Sequence, residues 1–105
     1  MSREPSLKVS IRPMGVFDLE AVGRIESETF PNPWPPRSLR YELVENEYCH
    51  AFVAEHGRTV AGYALLWVIF EQAHLVNIAV DESFRGQGLG EALLLPEPFQ
   101  FPIYK

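Results

Sequence analysis

The residues whose types and spacing carry the most chemistry run from Asn77 to Leu95, as Asn77-Ile78-Ala79-Val80-Asp81-Glu82-Ser83-Phe84-Arg85-Gly86-Gln87-Gly88-Leu89-Gly90-Glu91-Ala92-Leu93-Leu94-Leu95. An apolar run ends in a turn, glycines alternate with other residues, and a helix-forming run begins. Gly86, Gly88 and Gly90 lack a Cβ, so a ligand can approach the main chain closely. Successive N–H groups at a helix start, with the helix dipole behind them, suit an anion such as phosphate. Two common phosphate loops fit poorly. A P-loop needs Gly-x-x-x-x-Gly-Lys-Ser/Thr, and the Lys and Ser/Thr are missing. A dinucleotide fingerprint needs Gly-x-Gly-x-x-Gly inside a parallel βαβ unit, whereas this chain has Gly-x-Gly-x-Gly after a hairpin pattern. A glycine-rich turn without a ligand is the competing reading, but the strand–Arg-x-x-Gly-x-Gly–helix string is far more specific than a lone Gly-x-Gly.

Other candidates lie upstream. His74 is the histidine of the strand leading to the loop, either a hydrogen-bonded structural residue or a proton carrier. Glu71 borders the same cleft, as a turn residue or as a contact for a substrate amine. Cys49 reads as a small core residue, and His50 and His56 read as strand-end and turn residues.

The elements that must position these residues follow from periodicity. Val9 to Arg12 alternates apolar and polar and ends at Pro13, the pattern of a short strand. From Phe17 the period becomes helical, with Leu19, Val22, Ile25, Thr29 and Phe30 on one face and Asp18 at the positive end. That helix stops before Pro31. Pro31-Asn32-Pro33-Trp34-Pro35-Pro36 is a rigid loop in which Trp34 either plugs the core or shapes a substrate entrance. Pro36 suits a first helical turn, and a second helix built on Leu39, Leu43, Tyr41 and Val44 ends near Asn46. Tyr48 to Glu55, Thr59 to Phe70 and Ala73 to Val80 are β-rich, joined by His56-Gly57-Arg58 and Glu71-Gln72. The reading is a mixed α/β (α+β) domain: strand, two helices, antiparallel three-strand meander, glycine loop and short helix.

Composition bounds the function. Nine basic and fourteen acidic residues give a net charge of −5, which argues against direct nucleic-acid binding through clustered cations. The single Cys49 excludes an internal disulfide and a cysteine-rich zinc site, and no metal site is expected. The longest apolar run, Ala61 to Phe70, falls short of the roughly 20 residues a membrane helix needs. No secretory signal pattern opens the chain, so no membrane partner and a cytoplasmic location are expected.

Arg85-x-x-Gly88-x-Gly90 after Asn77-Ile78-Ala79-Val80 resembles the acetyl-CoA motif of the GNAT acetyltransferases. Ile11-Arg12-Pro13-Met14, Phe30-Pro31-x-Pro33-Trp34, Gly62-Tyr63 and Ala73-His74-Leu75-x-Asn77 are most similar to the RimI-like branch, which acetylates protein N-termini, typically the N-terminal alanine of a ribosomal protein. The resemblance implies a partial GNAT domain over 1–95 and a non-homologous proline-rich tail over 96–105. It implies that Ile78, Ala79 and Val80 pair with the pantetheine arm of acetyl-CoA along a strand splayed at a bulge. It further implies that main-chain amides of Gly86, Gln87, Gly88, Leu89, Gly90 and Glu91 cradle the pyrophosphate, with Arg85 adding charge. Trp34 and Glu71 would face the substrate, a peptide N-terminus, and His74 would move a proton.

The family's more direct acid–base residues are a glutamate on the next strand and a tyrosine on the following helix. This chain instead continues Pro96-Glu97-Pro98-Phe99-Gln100-Phe101-Pro102-Ile103-Tyr104-Lys105, and Glu97 and Tyr104 lie in no matching motif. Prolines are expected to end the last helix after about two turns. The last strand of the meander is then expected to be an exposed edge inviting self-association, partly covered by Phe99, Phe101 and Ile103. Activity is expected to be impaired. The rival expectations are a non-catalytic CoA-binding or interaction fragment, and a GNAT enzyme acting on another amine.

Overall fold

A computed structural model describes residues 8–94 and 103–104. Strand β1, Ser10–Pro13, is followed by a single 3-10 turn, Val16–Asp18, and by helices α1, Leu19–Thr29, and α2, Pro36–Val44. Strands β2, Cys49–His56, β3, Thr59–Ile69, and β4, Gln72–Val80, form the meander. A 3-10 turn at Glu82–Phe84, helix α3, Leu89–Leu94, and strand β5, Ile103–Tyr104, complete the order. The sheet order is β1-β2-β3-β4-β5; β1 to β4 pair antiparallel and β5 pairs parallel to β4.

The helix ends sit where the proline rules put them. Phe30 caps α1 in extended geometry before Pro31, and Pro36 opens α2, where its missing N–H costs nothing. Gly57 alone turns to positive φ in the first hairpin, matching a type II′ turn. The second hairpin is less comfortable. Phe70 and Glu71 both have positive φ, 50° and 62°, a conformation costing about 1–2 kcal/mol for a residue with a Cβ. Phe70 is also 94% exposed.

The two faces of the sheet bury different things. Helices α1 and α2 cover one face, where Val22, Ile25 and Leu39 pack on Val53, Tyr63, Leu65 and Ala79. Helix α3 covers part of the other, where Leu93 packs with Ala54, Ala64, Leu66 and Ala73. Gly62 makes the second contact close. A Cβ there would lie 2.9 Å from the Ala79 carbonyl oxygen and 3.3 Å from a Leu93 methyl.

Two expectations change. Tyr41 and Val44 are exposed, at 58% and 49%; Leu39 and Glu42 are the buried residues of α2. The edge of β4 is also not bare along its whole length, because Ile103 and Tyr104 align with Ala73 and His74. A two-residue strand among prolines has too little periodicity to be seen in sequence, and a parallel pairing needs the crossover that α3 supplies. Phe99, Phe101 and the residues expected to terminate the last helix lie outside the described residues.

Candidate functional site

Strand β4 carries an irregularity where a splay is expected. Leu65 pairs with Asn77 and Leu66 with Leu75, so Val76 is an extra residue, a β-bulge. Beyond it the ladder is regular to Val80, opposite Gly62. Asp81 N–H donates to the Ala61 carbonyl at 2.8 Å, which makes that pair the hydrogen-bonded kind. By antiparallel alternation the main-chain groups of Ala79 face β3, and those of Ile78 and Val80 turn to the far edge. Of the three residues expected along the pantetheine arm, two therefore present their amides outward. Among the described residues, β5 pairs with β4 at Ala73 and His74.

The glycine loop leaves this edge under tight constraint. Asp81 accepts from Ser83 N–H at 2.9 Å and forms an ion pair with Arg24 of α1 at 3.0 Å. The Ser83 hydrogen bond, helped by the Arg24 charge and opposed by partial burial, holds the Asp81 carboxyl below its ordinary range. Arg85 turns back over the strand end: its Nε donates to Val80 O at 3.0 Å, and its Nη2 lies 3.5 Å from Thr29 Oγ1. Gly86 and Gly88 take φ of +80° and +82°, values that residues with a Cβ rarely reach. The Cβ positions of Gly86 and Gly90 open onto empty space. Ala92 N–H donates to Gly88 O at 3.1 Å, and Leu89 and Leu93 fasten α3 to the core. Gln87 is half-buried and Glu91 exposed on this segment.

Beneath the bulge lies a buried carboxylate that the sequence reading does not single out. Glu26 of α1 is 1% exposed. One oxygen, Oε2, accepts the Trp34 main-chain N–H at 3.0 Å. The other, Oε1, accepts from Asn77 Nδ2 at 2.5 Å and from the Tyr63 hydroxyl. Burial first, and then the Glu26 carboxylate, push the Tyr63 phenol far above its usual range. A similar arrangement joins α2 to β3, where Glu42 Oε1 accepts Trp67 Nε1 at 2.6 Å and Asn46 Nδ2 at 3.0 Å. Burial and the nearby Glu42 push the Cys49 thiol up to about 12, so it is no thiolate nucleophile at neutral pH. The spacing does hold a signal. Val22, Ile25, Glu26 and Thr29 form an i, i+3, i+4, i+7 stripe, so Glu26 sits on the apolar face.

The remaining candidates are spread along the strand. His74 is half-buried, pairs across from Trp67 and lies two residues before the bulge. Cross-strand partners share a face, so His74 is on the α2 side. Trp34 is half-buried and lines two grooves, about 830 Å³ beside α1 and about 640 Å³ between α2 and Trp67. It also packs against the core. Glu71 is exposed in the second hairpin turn, roughly 16 Å along the strand from the bulge at about 3.3 Å per residue.

A bulged strand running into a positive-φ glycine loop and a short helix is the arrangement that the resemblance to the GNAT acetyltransferases implies for these residues. Residues 19–95 match the model of the acetyltransferase (GNAT) family, and the chain belongs to that family. It is 40% identical over 86 residues to a Bacillus subtilis protein provisionally named a ribosomal-protein-bS18 alanine N-acetyltransferase, covering 82% of this chain and 57% of that protein. It is 33% identical over 85 residues to the Escherichia coli ribosomal-protein-bS18 alanine N-acetyltransferase, covering 81% of this chain and 56% of that one. The crystal structure of the E. coli ribosomal-protein-S18 alanine N-acetyltransferase superposes with a TM-score of 0.75 at 31% identity, over 83% of this chain and 55% of that chain. Arabidopsis thaliana NAA60 in complex with acetyl-CoA shares the fold, with a TM-score of 0.71 at 16% identity over 83% of this chain and 64% of that one. The chain spans about half the length of the curated relatives it matches.

Proposed function

We propose that this chain binds acetyl-CoA along the far edge of β4 and serves transfer of the acetyl group to a protein N-terminal amine, with the N-terminal alanine of a ribosomal protein as the substrate class, in the cytoplasm. The observation that carries this reading is the continuity of the Val76 bulge, the outward amides of Ile78 and Val80, and the glycine loop, within a chain 40% identical to a bS18-type relative. The residues fit the group. Ile78 and Val80 can hydrogen-bond an extended amide-bearing arm as an added strand does, and the open Cβ positions of Gly86 and Gly90 leave room for close approach to the main chain. When bound, acetyl-CoA supplies an activated thioester.

This chain's own residues then orient and bind. The Ile78 N–H, the outward donor nearer the bulge, can hold a carbonyl oxygen at the edge, the kind of fixed dipole that lowers an acyl-transfer barrier. An α-amino group with a pKa near 7.7–8.0 needs only modest help to lose its proton, and His74, two residues from the bulge, is the proton carrier we assign. Trp34 shapes the substrate grooves. Glu71, out at the hairpin turn, is given no step.

A calorimetric titration with CoA, paired with an acetylation assay on an Ala-starting peptide, tests this. Binding with transfer is expected, with Gly88→Val losing both and His74→Gln losing transfer alone. No heat on adding CoA to folded protein overturns the reading. A second reading, a CoA-binding module without transfer, predicts heat but no acetylated peptide.

A further inference from the structure

We infer that Glu26 is a positioning residue that ties the proline loop to the bulged segment of β4, so that occupancy of the strand's far edge is transmitted to Trp34 and its grooves. The inference rests on the acetyl-CoA reading above. Its basis is the division of one buried carboxylate between two parts of the site. Oε2 holds the Trp34 main-chain N–H at 3.0 Å, and Oε1 holds Asn77 Nδ2 at 2.5 Å together with the Tyr63 hydroxyl. Asn77 Nδ2 also reaches the Tyr63 oxygen at 3.3 Å, closing a small ring.

Chemistry explains why an acid stands there. Trp34 N–H and the Asn77 amide nitrogen are donors, so the centre must accept on both sides, and an ionised carboxylate accepts only. No cation is among the described contacts of Glu26, so three neutral donors hold it. Such a group has little freedom to shift, because moving away from any of these donors leaves a polar group in a buried site without its partner. Movement of the strand at Asn77, the residue after the bulge, is therefore passed through Glu26 to the loop. Asn77 is next to Ile78, whose amide faces the proposed pantetheine edge. Trp34 walls the groove between α2 and Trp67. The carboxylate thus stands between the acyl-donor side and the acceptor side without touching either.

The experiment follows the Trp34 main-chain amide by NMR, by hydrogen exchange in the free protein and by chemical shift on titration with CoA. In the parent chain the amide is protected and shifts as CoA binds. Glu26→Gln is expected to speed its exchange by about ten- to a hundredfold, the size of a lost hydrogen bond to a charged group, and to remove the CoA-induced shift. Asn77→Ala cuts only the strand arm and guards against a Glu26 variant that fails to fold. It should leave Trp34 protected through Oε2 yet silent to CoA, a combination that general loosening would not produce. If CoA binds Asn77→Ala and Trp34 still responds as in the parent chain, the inference is overturned while the cofactor reading stands. If CoA binds the parent chain without moving Trp34, the inference likewise fails alone. If the folded parent chain does not bind CoA, both fall.

Discussion

The two faces of this sheet are packed by opposite strategies. On the α1/α2 face, Asp18, Glu26 and Glu42 are buried at 3%, 1% and 7% exposure, each with donors around it. On the α3 face, the buried cluster is Ala54, Ala64, Leu66, Ala73 and Leu93, and none of the buried polar side chains among the described residues joins it. Apolar contacts are non-directional and tolerate sliding, whereas a buried carboxylate needs its donors in place. The polar face thus fixes how α1, α2 and the proline loop sit on the sheet. The apolar face holds α3 by volume and by the close approach at Gly62.

The largest expected effect sets the faces apart. Glu26→Ala leaves Trp34 N–H, Asn77 Nδ2 and the Tyr63 hydroxyl without their acceptor, at about 1–3 kcal/mol per buried group. A loss of roughly 3–5 kcal/mol in urea unfolding is expected, a large share of the about 5–15 kcal/mol that holds a small domain. A loss below about 1 kcal/mol would erase the distinction. Leu93→Ala probes the other face and should cost about 2–4 kcal/mol, by lost transfer energy and a cavity. This loss should be recovered in part by Leu93→Met, because volume is what that face requires; no such rescue is expected from Glu26→Met.

A gain is expected at the far hairpin, away from both faces. Replacing Phe70 with Asn and Glu71 with Gly puts residues that tolerate positive φ at both turn positions and should raise stability by about 1–2 kcal/mol, read as a higher urea midpoint. Unchanged stability would mean that the exposed Phe70 offsets the strain.

The smallest effect is on pH dependence. Burial opposes ionisation of Asp18, but hydrogen bonds from Arg12 and the Gly15 N–H, with the Arg12 charge, outweigh it and hold the carboxyl below its usual value. A folded pKa below the unfolded one contributes stability above about pH 4, lost as pH falls through the folded value. Arg12→Met should therefore lower the neutral plateau of a stability–pH curve more than its acid end, flattening the acid limb. A parallel downward shift of the whole curve would show that the Arg12 stem, not its charge, does the holding.

Much of this was legible from residue spacing. The helical stripe from Leu19 to Phe30, the proline stops at Pro31 and Pro36, the alternation through β2 to β4 and the glycine string each carry a local signal tied to dihedrals or to one-sided burial. The candidate site was legible where it is made of main chain, because glycine placement reports backbone conformation directly. It was obscure where side chains from distant segments meet. Glu26 reads locally as one more helix acid, and only its position on the apolar stripe hints otherwise. Arg85 reads as a free cation at a turn, whereas its guanidinium is spent on Val80 O and near Thr29.

What the sequence by itself determined is the order of elements, the stops between them and the glycine loop, since these depend on φ/ψ limits and on the two periodicities of side-chain direction. Only the tertiary structure decided which polar residues are buried, which main-chain amides of β4 face outward, and that one carboxylate joins the proline loop to the bulge. Those depend on partners as far apart as 51 residues for Glu26 and Asn77, and no local rule of the chain encodes a meeting at that distance.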